Sequence, residues 1–523
     1  MAGLVGHAPA VGGTVAGTHD TAPGHVAASR AWHPIAARAT VWWGTAWRST
    51  PGRVRLLAAA SVAAAGLLAA VIAVAFAAAG GSLRSIGGTD APEVTAATGL
   101  YFSLNDMDAQ VANVLLAGTD PSLAASRPGY LATYESDREN AYADLQQAAV
   151  TAAGNPAAEQ QLRTVLDDVG QYEALAADAL LTDQQAPGRQ QPAGTITSAG
   201  SRASTSARTS TATAGYYQQA TDLMRTGILP QVSSLASVSS AKLDASYATG
   251  RSDAAGGEIL AWAAGVALVT VLAVCQLYLT RRFRRRINPA LAAATLVAVV
   301  LAVTAGLRLG AEGGHLKVAK QDAFDSIVAL SQARAVSYDA NADESRYLAD
   351  PGRAAMYQAS FLAESQQLAS VGTASLSGYA PALAADLRAY QADNADVRFG
   401  GYLGAEFRNI TFPGERAAAV AALTAYLAYE RNDHVLRTLN ATSPQAAAAF
   451  DTSMQPGQSN WSFSQYDNAL QAVIAINQRA FTAAVQAGQG GAAGWNGLVP
   501  AGCALLIAVL VIAGVRPRLA EYR

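Results

Sequence analysis

The chain has 523 residues, 51% of them hydrophobic, and a formal net charge of −2. Its length would hold three or four soluble domains at roughly 150 residues each, but its long uncharged apolar runs exclude a purely soluble protein. A disulfide-stapled scaffold is excluded too, because its two cysteines, Cys275 and Cys503, both lie inside those runs.

Residues 1–52 are rich in Gly, Ala, His, Thr and Pro without periodicity, which predicts a disordered tail. Trp42, Trp43 and Trp47 then precede "RSTPGRVR", an aromatic and basic belt of the kind found at a membrane interface. Trp262, Tyr278 and Trp495 repeat the pattern at other apolar ends. Four windows, Leu56–Ala79, Ile259–Leu279, Ile287–Gly306 and Leu498–Val515, contain no Asp, Glu, Lys, Arg or His. Each approaches the ~20 residues that cross a bilayer core as a helix. "AVAFAAAGG" offers a small-residue cleavage pattern after the first run. That run is nonetheless too long, and begins too far into the chain, for a signal peptide, so it reads as a retained span. The expected organisation is a tail over 1–52, spans over 53–79, 258–280, 287–306 and 497–515, helical segments over 80–257 and 307–496, an arginine hinge over 281–286 and a tail over 516–523.

Charge orients this arrangement. Met1–Arg55, Arg281–Arg286 and Arg516–Arg523 hold 13 basic residues and two acidic ones, whereas Gly80–Gly257 and Leu307–Asn496 hold 23 basic and 35 acidic. Short loops rich in Lys and Arg stay in the cytoplasm, so both termini and the hinge are expected inside and the long segments outside the plasma membrane. Arg281, Arg282, Arg284, Arg285 and Arg286 are therefore a topology anchor and a candidate cytoplasmic coupling surface. An arginine run also suits nucleic acid or anionic lipid. Wedged between two spans, it predicts no nucleic-acid partner.

The two long segments read as helical. "DSIVALSQARAVSYDANADESRYLAD" (325–350) and "AAAVAALTAYLAYERNDHVLRTL" (417–439) place apolar residues three and four apart, without strand-like alternation. Turn signals separate the helices at 118–122, 154–156, 350–353 and 412–415, where Pro413 suits a first helical position with Glu415 in the first turn. The halves read as a duplication. A shift of 257 superposes Pro156 on Pro413, Leu166 on Leu423, Tyr172 on Tyr429 and Glu173 on Glu430; a shift of 223 superposes Tyr134 on Tyr357 and Leu145 on Leu368. Residues 183–215 lack large apolar side chains and predict a flexible loop. Residues 393–415 instead carry Phe399, Tyr402, Leu403, Phe407 and Phe412 and are apolar enough to fold.

No enzyme motif stands out. The chain lacks H-E-x-x-H, G-x-S-x-G and G-x-x-x-x-G-K-[ST], and Glu430 and His434 share a helix face without further metal ligands nearby. "GQGGAAG" (488–494) has the wrong spacing for a phosphate loop and no preceding strand, so it reads as a joint before the last span. Neither catalysis nor a cofactor nor a metal is expected. Uncharged spans offer no polar lane, which argues against transport. Tyr429, Glu430, Asp433 and Arg437 lie on two turns of one predicted helix and are a candidate ligand or partner contact. The alternative is a solvated face with i, i+4 ion pairing. If "SSAKLDASYATGRSD" and "INQRAFTAAVQAG" run on into the spans that follow them, a small shift outside would reach the cytoplasm along stiff helices.

Span, helical bundle and span resemble the sensor half of bacterial chemoreceptors, although no HAMP linker or kinase-control rod follows Thr280. "ARAVSYDANADESRYLADPG" (333–352), "GYLGAEFRNITFPGERAA" (401–418) and the doubled topology are similar to the GlnX family of actinobacterial membrane proteins. That resemblance implies an all-α membrane protein with four transmembrane helices and two duplicated extracytoplasmic helical bundles. It implies a non-enzymatic signalling adaptor that relays amino-acid availability of the glutamate or aspartate type. The implied partners are an extracytoplasmic glutamate-binding-type lipoprotein and a cytosolic Ser/Thr protein kinase. Chemoreceptor analogy suggests a homodimer, unless the duplication already supplies the pair. Direct small-molecule sensing, a transport-associated subunit and a cell-envelope scaffold are the alternatives.

Overall fold

The computed structural model describes residues 50–119, 123–152, 156–185, 211–283 and 288–520. The expected disordered tail, apart from its last residues, lies outside these, as do most of the 183–215 loop and Arg284, Arg285 and Arg286 of the hinge. The two ends of that loop stretch are helical rather than flexible, since the flanking helices run to Gln185 and resume at Thr211.

Every regular element among the described residues is helical. α1 (Thr50–Ser85) passes through a π-helical stretch, Ile86–Asp90, into α2 (Ala91–Thr119). α3 (Arg127–Ala152) and α4 (Pro156–Gln185) follow. α5 (Thr211–Leu223) continues through Met224–Ile228, again π-helical, into α6 (Leu229–Phe283). α7 (Pro289–Lys317) leads through a third π-helical stretch, Val318–Phe324, into α8 (Asp325–Ala349). α9 (Ala354–Leu368), α10 (Leu376–Ala392), α11 (Gly401–Asn409), α12 (Glu415–Thr442), α13 (Pro444–Asp451), α14 (Ser459–Gly491) and α15 (Leu498–Ala520) complete the chain.

Four helices are long and apolar enough to cross a membrane, and three of them extend far beyond the apolar part. Thr50–Gly118, Ala212–Arg282 and Pro289–Ala349 are unbroken helical runs of 69, 71 and 61 residues. At 1.5 Å per residue each is roughly 90–110 Å long, about three times the hydrocarbon core. Leu498–Pro517 is a separate helix of 20 residues. The expected continuity therefore holds for α6 but not for the last span. α14 ends at Gly491, and a turn over residues 492–497, with Gly494 at φ +80°, precedes α15.

The four apolar helices pack around Leu68, Ile72, Leu268, Leu272, Leu291, Leu301, Ile507 and Val511. Cys275 is buried among them, while Leu67, Val74, Ile259, Val266, Leu296 and Leu505 point outward as a lipid-facing belt would. Close approach is essential where α1 meets α6, since a Cβ on Gly257 would lie 2.5 Å from the Ala75 Cβ. Asn288 ties the far end of α7. Its Oδ1 accepts from Ala290 N at 3.1 Å as an N-cap ahead of Pro289, and its Nδ2 donates to Gly514 O of α15 at 2.8 Å.

Beyond the apolar end lie two cores. The first, formed by α2, α3, α4, α5 and the start of α6, centres on Leu104, Met107, Leu145, Val169, Tyr172 and Tyr217. The second, formed by α8, α9, α10, α11, α12 and α14, centres on Phe361, Tyr379, Phe399, Leu423, Tyr426 and Tyr466. α2 lies along α8, joining the two cores side by side. The 393–415 excursion folds into the second core through Phe399, Leu403 and Phe407. Pro413 does not open a helix as expected. Gly414 caps α12 at φ +85° without a side-chain hydrogen bond, and Glu415 Oε2 accepts instead from Thr411 N and Phe412 N at 2.6 and 2.8 Å. The carboxylate thus closes the turn that proline was expected to start.

Gly401 opens α11 at φ +68°, and a Cβ there would meet the Gln367 carbonyl oxygen at 2.4 Å. Gly401→Ala is expected to cost at least about 1–3 kcal/mol from the left-handed backbone alone. A lowered thermal unfolding midpoint of the full-length protein in detergent, with α-helical circular dichroism preserved at low temperature, is the measurable outcome.

Candidate functional site

The most charged-looking part of the α8 sequence, "DANADESR" (339–346), is the most deeply buried. Arg346 is 0% exposed. Its Nη1 binds Asp339 at 2.7 Å and Asp343 at 2.6 Å, and its Nη2 reaches across to Asp108 of α2 at 2.5 Å. Burial opposes the guanidinium charge, but Asp108, Tyr217, Asp339 and Asp343 more than offset it, and the side chain stays protonated. Arg225, in the π-helical stretch of the first half, adds a 3.3 Å contact to Asp343 and hydrogen-bonds Ser360 of α9. Further bonds cross the same seam. Ser345 donates toward Asn113 at 2.7 Å and Asp451 at 2.8 Å, Tyr130 donates to Thr452 O at 3.1 Å, and Gln218 donates to Asp350 at 2.8 Å. Nearer the apolar end, Arg334 stacks 4.0 Å over the Phe102 ring of α2 while its Nε binds Asp467 of α14 at 2.6 Å.

The sequence-predicted contact residues sit beside this seam on α12. They are not a solvated face. Tyr429, Glu430 and Asp433 are buried, because α12 packs along α14, with Phe463 against Tyr429, and meets Phe361 and Ser365 of α9. Glu430 Oε1 accepts from Ser365 at 2.8 Å and Tyr426 at 2.5 Å. Only the i, i+4 pairing survives from the expectation: Arg437 Nε donates to Asp433 Oδ2 at 2.9 Å, and Nη2 lies 2.7 Å from Oδ1. The Arg437 guanidinium lies 4.5 Å from the Tyr347 ring centre. Outside this pair is a cavity of about 370 Å³, lined by Tyr347, Gln358, Ser375, Ser377, Asp433, His434 and Arg437 among others. Of the arginine hinge, Arg281 and Arg282 are exposed at the end of α6.

Arg346, Asp108 and Glu344 were absent from the sequence-predicted set. A signal for Arg346 existed in the spacing of Asp339, Asp343 and Arg346, three and four residues apart on one helix face. Nothing local pointed to Asp108, which comes from the other half of the chain.

The ionic chemistry of the seam is unbalanced toward acid. Burial, with Asp433 beside it, pushes the Glu430 carboxyl up to about 8, against the Tyr426 and Ser365 hydrogen bonds that favour its ionised form. Burial likewise pushes Asp451 up to about 7 and Asp343 up to about 6. In each case the folded state keeps a proton that the unfolded chain loses near pH 4, so the associated stability is full below that pH and is lost as the pH rises through about 6–8.

Two outcomes follow from these environments. The unfolding midpoint of the protein should fall between pH 5.5 and 8.5, and Glu430→Gln should flatten that fall by retaining more stability at the upper end, both read by thermal circular dichroism. Arg346→Met strands three aspartates in a dry seam and should cost about 3–5 kcal/mol, read by denaturant unfolding.

Residues 82–248, from the end of α1 through the first helical core to α6, match the family described as an actinobacterial sensor domain. No curated protein and no solved structure gives a significant match. The first helical bundle is thus similar to a sensor domain of actinobacterial type, which supports a sensing role for this helical protein with its four helices long and apolar enough to cross a membrane.

Proposed function

We propose that the chain is a non-enzymatic transmembrane signalling adaptor, with both termini and the arginine hinge in the cytoplasm and the two helical bundles outside. The observation that carries this reading is the continuity of three helical runs from the bundles through the apolar core. A rotation or piston shift in a bundle travels along such a helix, which no turn interrupts. Similarity of the first bundle to a sensor domain supports an input on that side. The charge asymmetry of the loops supports the orientation.

The halves are read as duplicated units. Tyr172 and Tyr429, superposed by the sequence shift, are both fully buried in their respective cores, and Tyr134 and Tyr357 are buried as well. The pairing of α2 with α8 then does within one chain what a homodimer does with two copies. Likeness of residues 333–352 and 401–418 to the GlnX family supports the partners: a glutamate-binding-type lipoprotein outside and a cytosolic Ser/Thr protein kinase inside. The relay would report glutamate- or aspartate-type amino acids.

Crosslinking in intact cells, followed by purification of the chain and mass spectrometry, tests the relay. Recovery of an extracytoplasmic solute-binding protein together with a cytosolic kinase is expected; recovery of wall-synthesis proteins alone would make the chain an envelope scaffold. Ser252→Pro, on the exposed side of α6, kinks that run at a cost of about 3 kcal/mol. It should leave the input partner bound while abolishing the change in kinase-dependent phosphorylation on amino-acid addition.

A further inference from the structure

The cavity outside α12 has two chemically opposite sides. Its rim holds the first turn of α10, where Ser375 is the N-cap but makes no side-chain capping bond, together with the exposed His434 and the Arg437 guanidinium. Amide groups at a helix start and an arginine fork both favour a carboxylate. Its floor is Asp433, and behind Asp433 lie Glu344 and Asp451, three carboxyl groups facing one guanidinium. Tyr429, fully buried, faces Glu344 and Asp433. Of the residues that line the cavity, Asp433 Oδ1 and Arg437 Nη1 and Nη2 are buried without a hydrogen bond. The Asp433–Arg437 pair is thus incompletely satisfied.

We propose that this cavity binds a small zwitterion, a molecule carrying an ammonium group next to a carboxylate, as a direct input to the second bundle. The ammonium takes the place beside Asp433 now held by Arg437 Nη2, 2.7 Å away. Arg437, packed on the Tyr347 ring, turns its guanidinium to the ligand carboxylate, which the first-turn amides of α10 also receive. One ion pair becomes two, and the net charge of the cavity is unchanged. A simple amine would add its charge to that of Arg437, and a simple carboxylate would leave the floor unserved, so both bind more weakly. A volume of about 370 Å³ suits an amino-acid-sized molecule. Ligand binding here changes the surroundings of Glu344, two residues from Arg346 on the helix that continues into the third span.

The proposal rests on the sensor reading and adds an input to it, but binding to the purified chain reports on the cavity alone, whether or not a kinase lies downstream. Full-length protein in nanodiscs is titrated calorimetrically with L-alanine, L-asparagine, L-glutamate, acetate and methylamine. At least one amino acid should saturate a single site, with acetate and methylamine at least tenfold weaker. Ser377→Glu, an exposed change that sets a carboxylate at the start of α10, should weaken that amino acid at least tenfold, and Asp433→Asn should do the same. Should Asp433→Asn fail to fold, His434→Glu on the exposed rim replaces it. No saturation by any amino acid would overturn the proposal. So would acetate binding as well as the amino acids, or affinity unchanged by Ser377→Glu and the rim variant.

Discussion

A guanidinium cannot be buried alone. Arg346 is removed from water at the centre of the protein, and its charge is tolerable only while Asp108, Asp339 and Asp343 stay within 2.7 Å. Two of these aspartates come from its own helix, but Asp108 comes from the first half of the chain. The helices α2 and α8 are therefore held at one separation and one register by a contact whose loss would strand a charge. Apolar packing alone is tolerant of sliding; a three-way charge contact is not. The seam fixes how the two cores face each other and thus how the three long helical runs enter the apolar bundle.

The spans were legible because a bilayer demands an uninterrupted apolar window, a requirement that leaves its mark on composition. The joints were harder to read. Gly256 and Gly257 look as breakable as Gly490 and Gly491, yet α6 runs through the first pair because Gly257 fits against Ala75 across the helix interface. The second pair ends α14, and the chain turns at Gly494, whose φ of +80° suits glycine. Glycine identity alone does not separate a packing surface from a stop.

The α12 face shows a different limit. Tyr429, Glu430, Asp433 and Arg437 could be placed together from helical periodicity, but their burial depends on Glu344, Ser365 and Tyr347 from other helices. Charged letters at i, i+4 spacing read as solvated because the sequence displays only the partner on the same helix. The same holds for "DANADESR", where polar residues mark an interior seam rather than a surface. In a protein this rich in alanine, shape complementarity is cheap along every helix face, and buried polar contacts are what distinguish one pairing from another.

The turn at 492–497 has a mechanical consequence. The helix is interrupted there, and the turn is tied to the apolar bundle by side chains instead, through Ala492 and Trp495, whose ring packs on Phe76. The second core has one unbroken helical run into the apolar bundle, from α8 into α7, whereas the first core has two, through α1 and through α6. α6 and α7 are also the helices that the short 284–287 segment joins at their far ends. One run from each core therefore ends at the same corner of the apolar bundle.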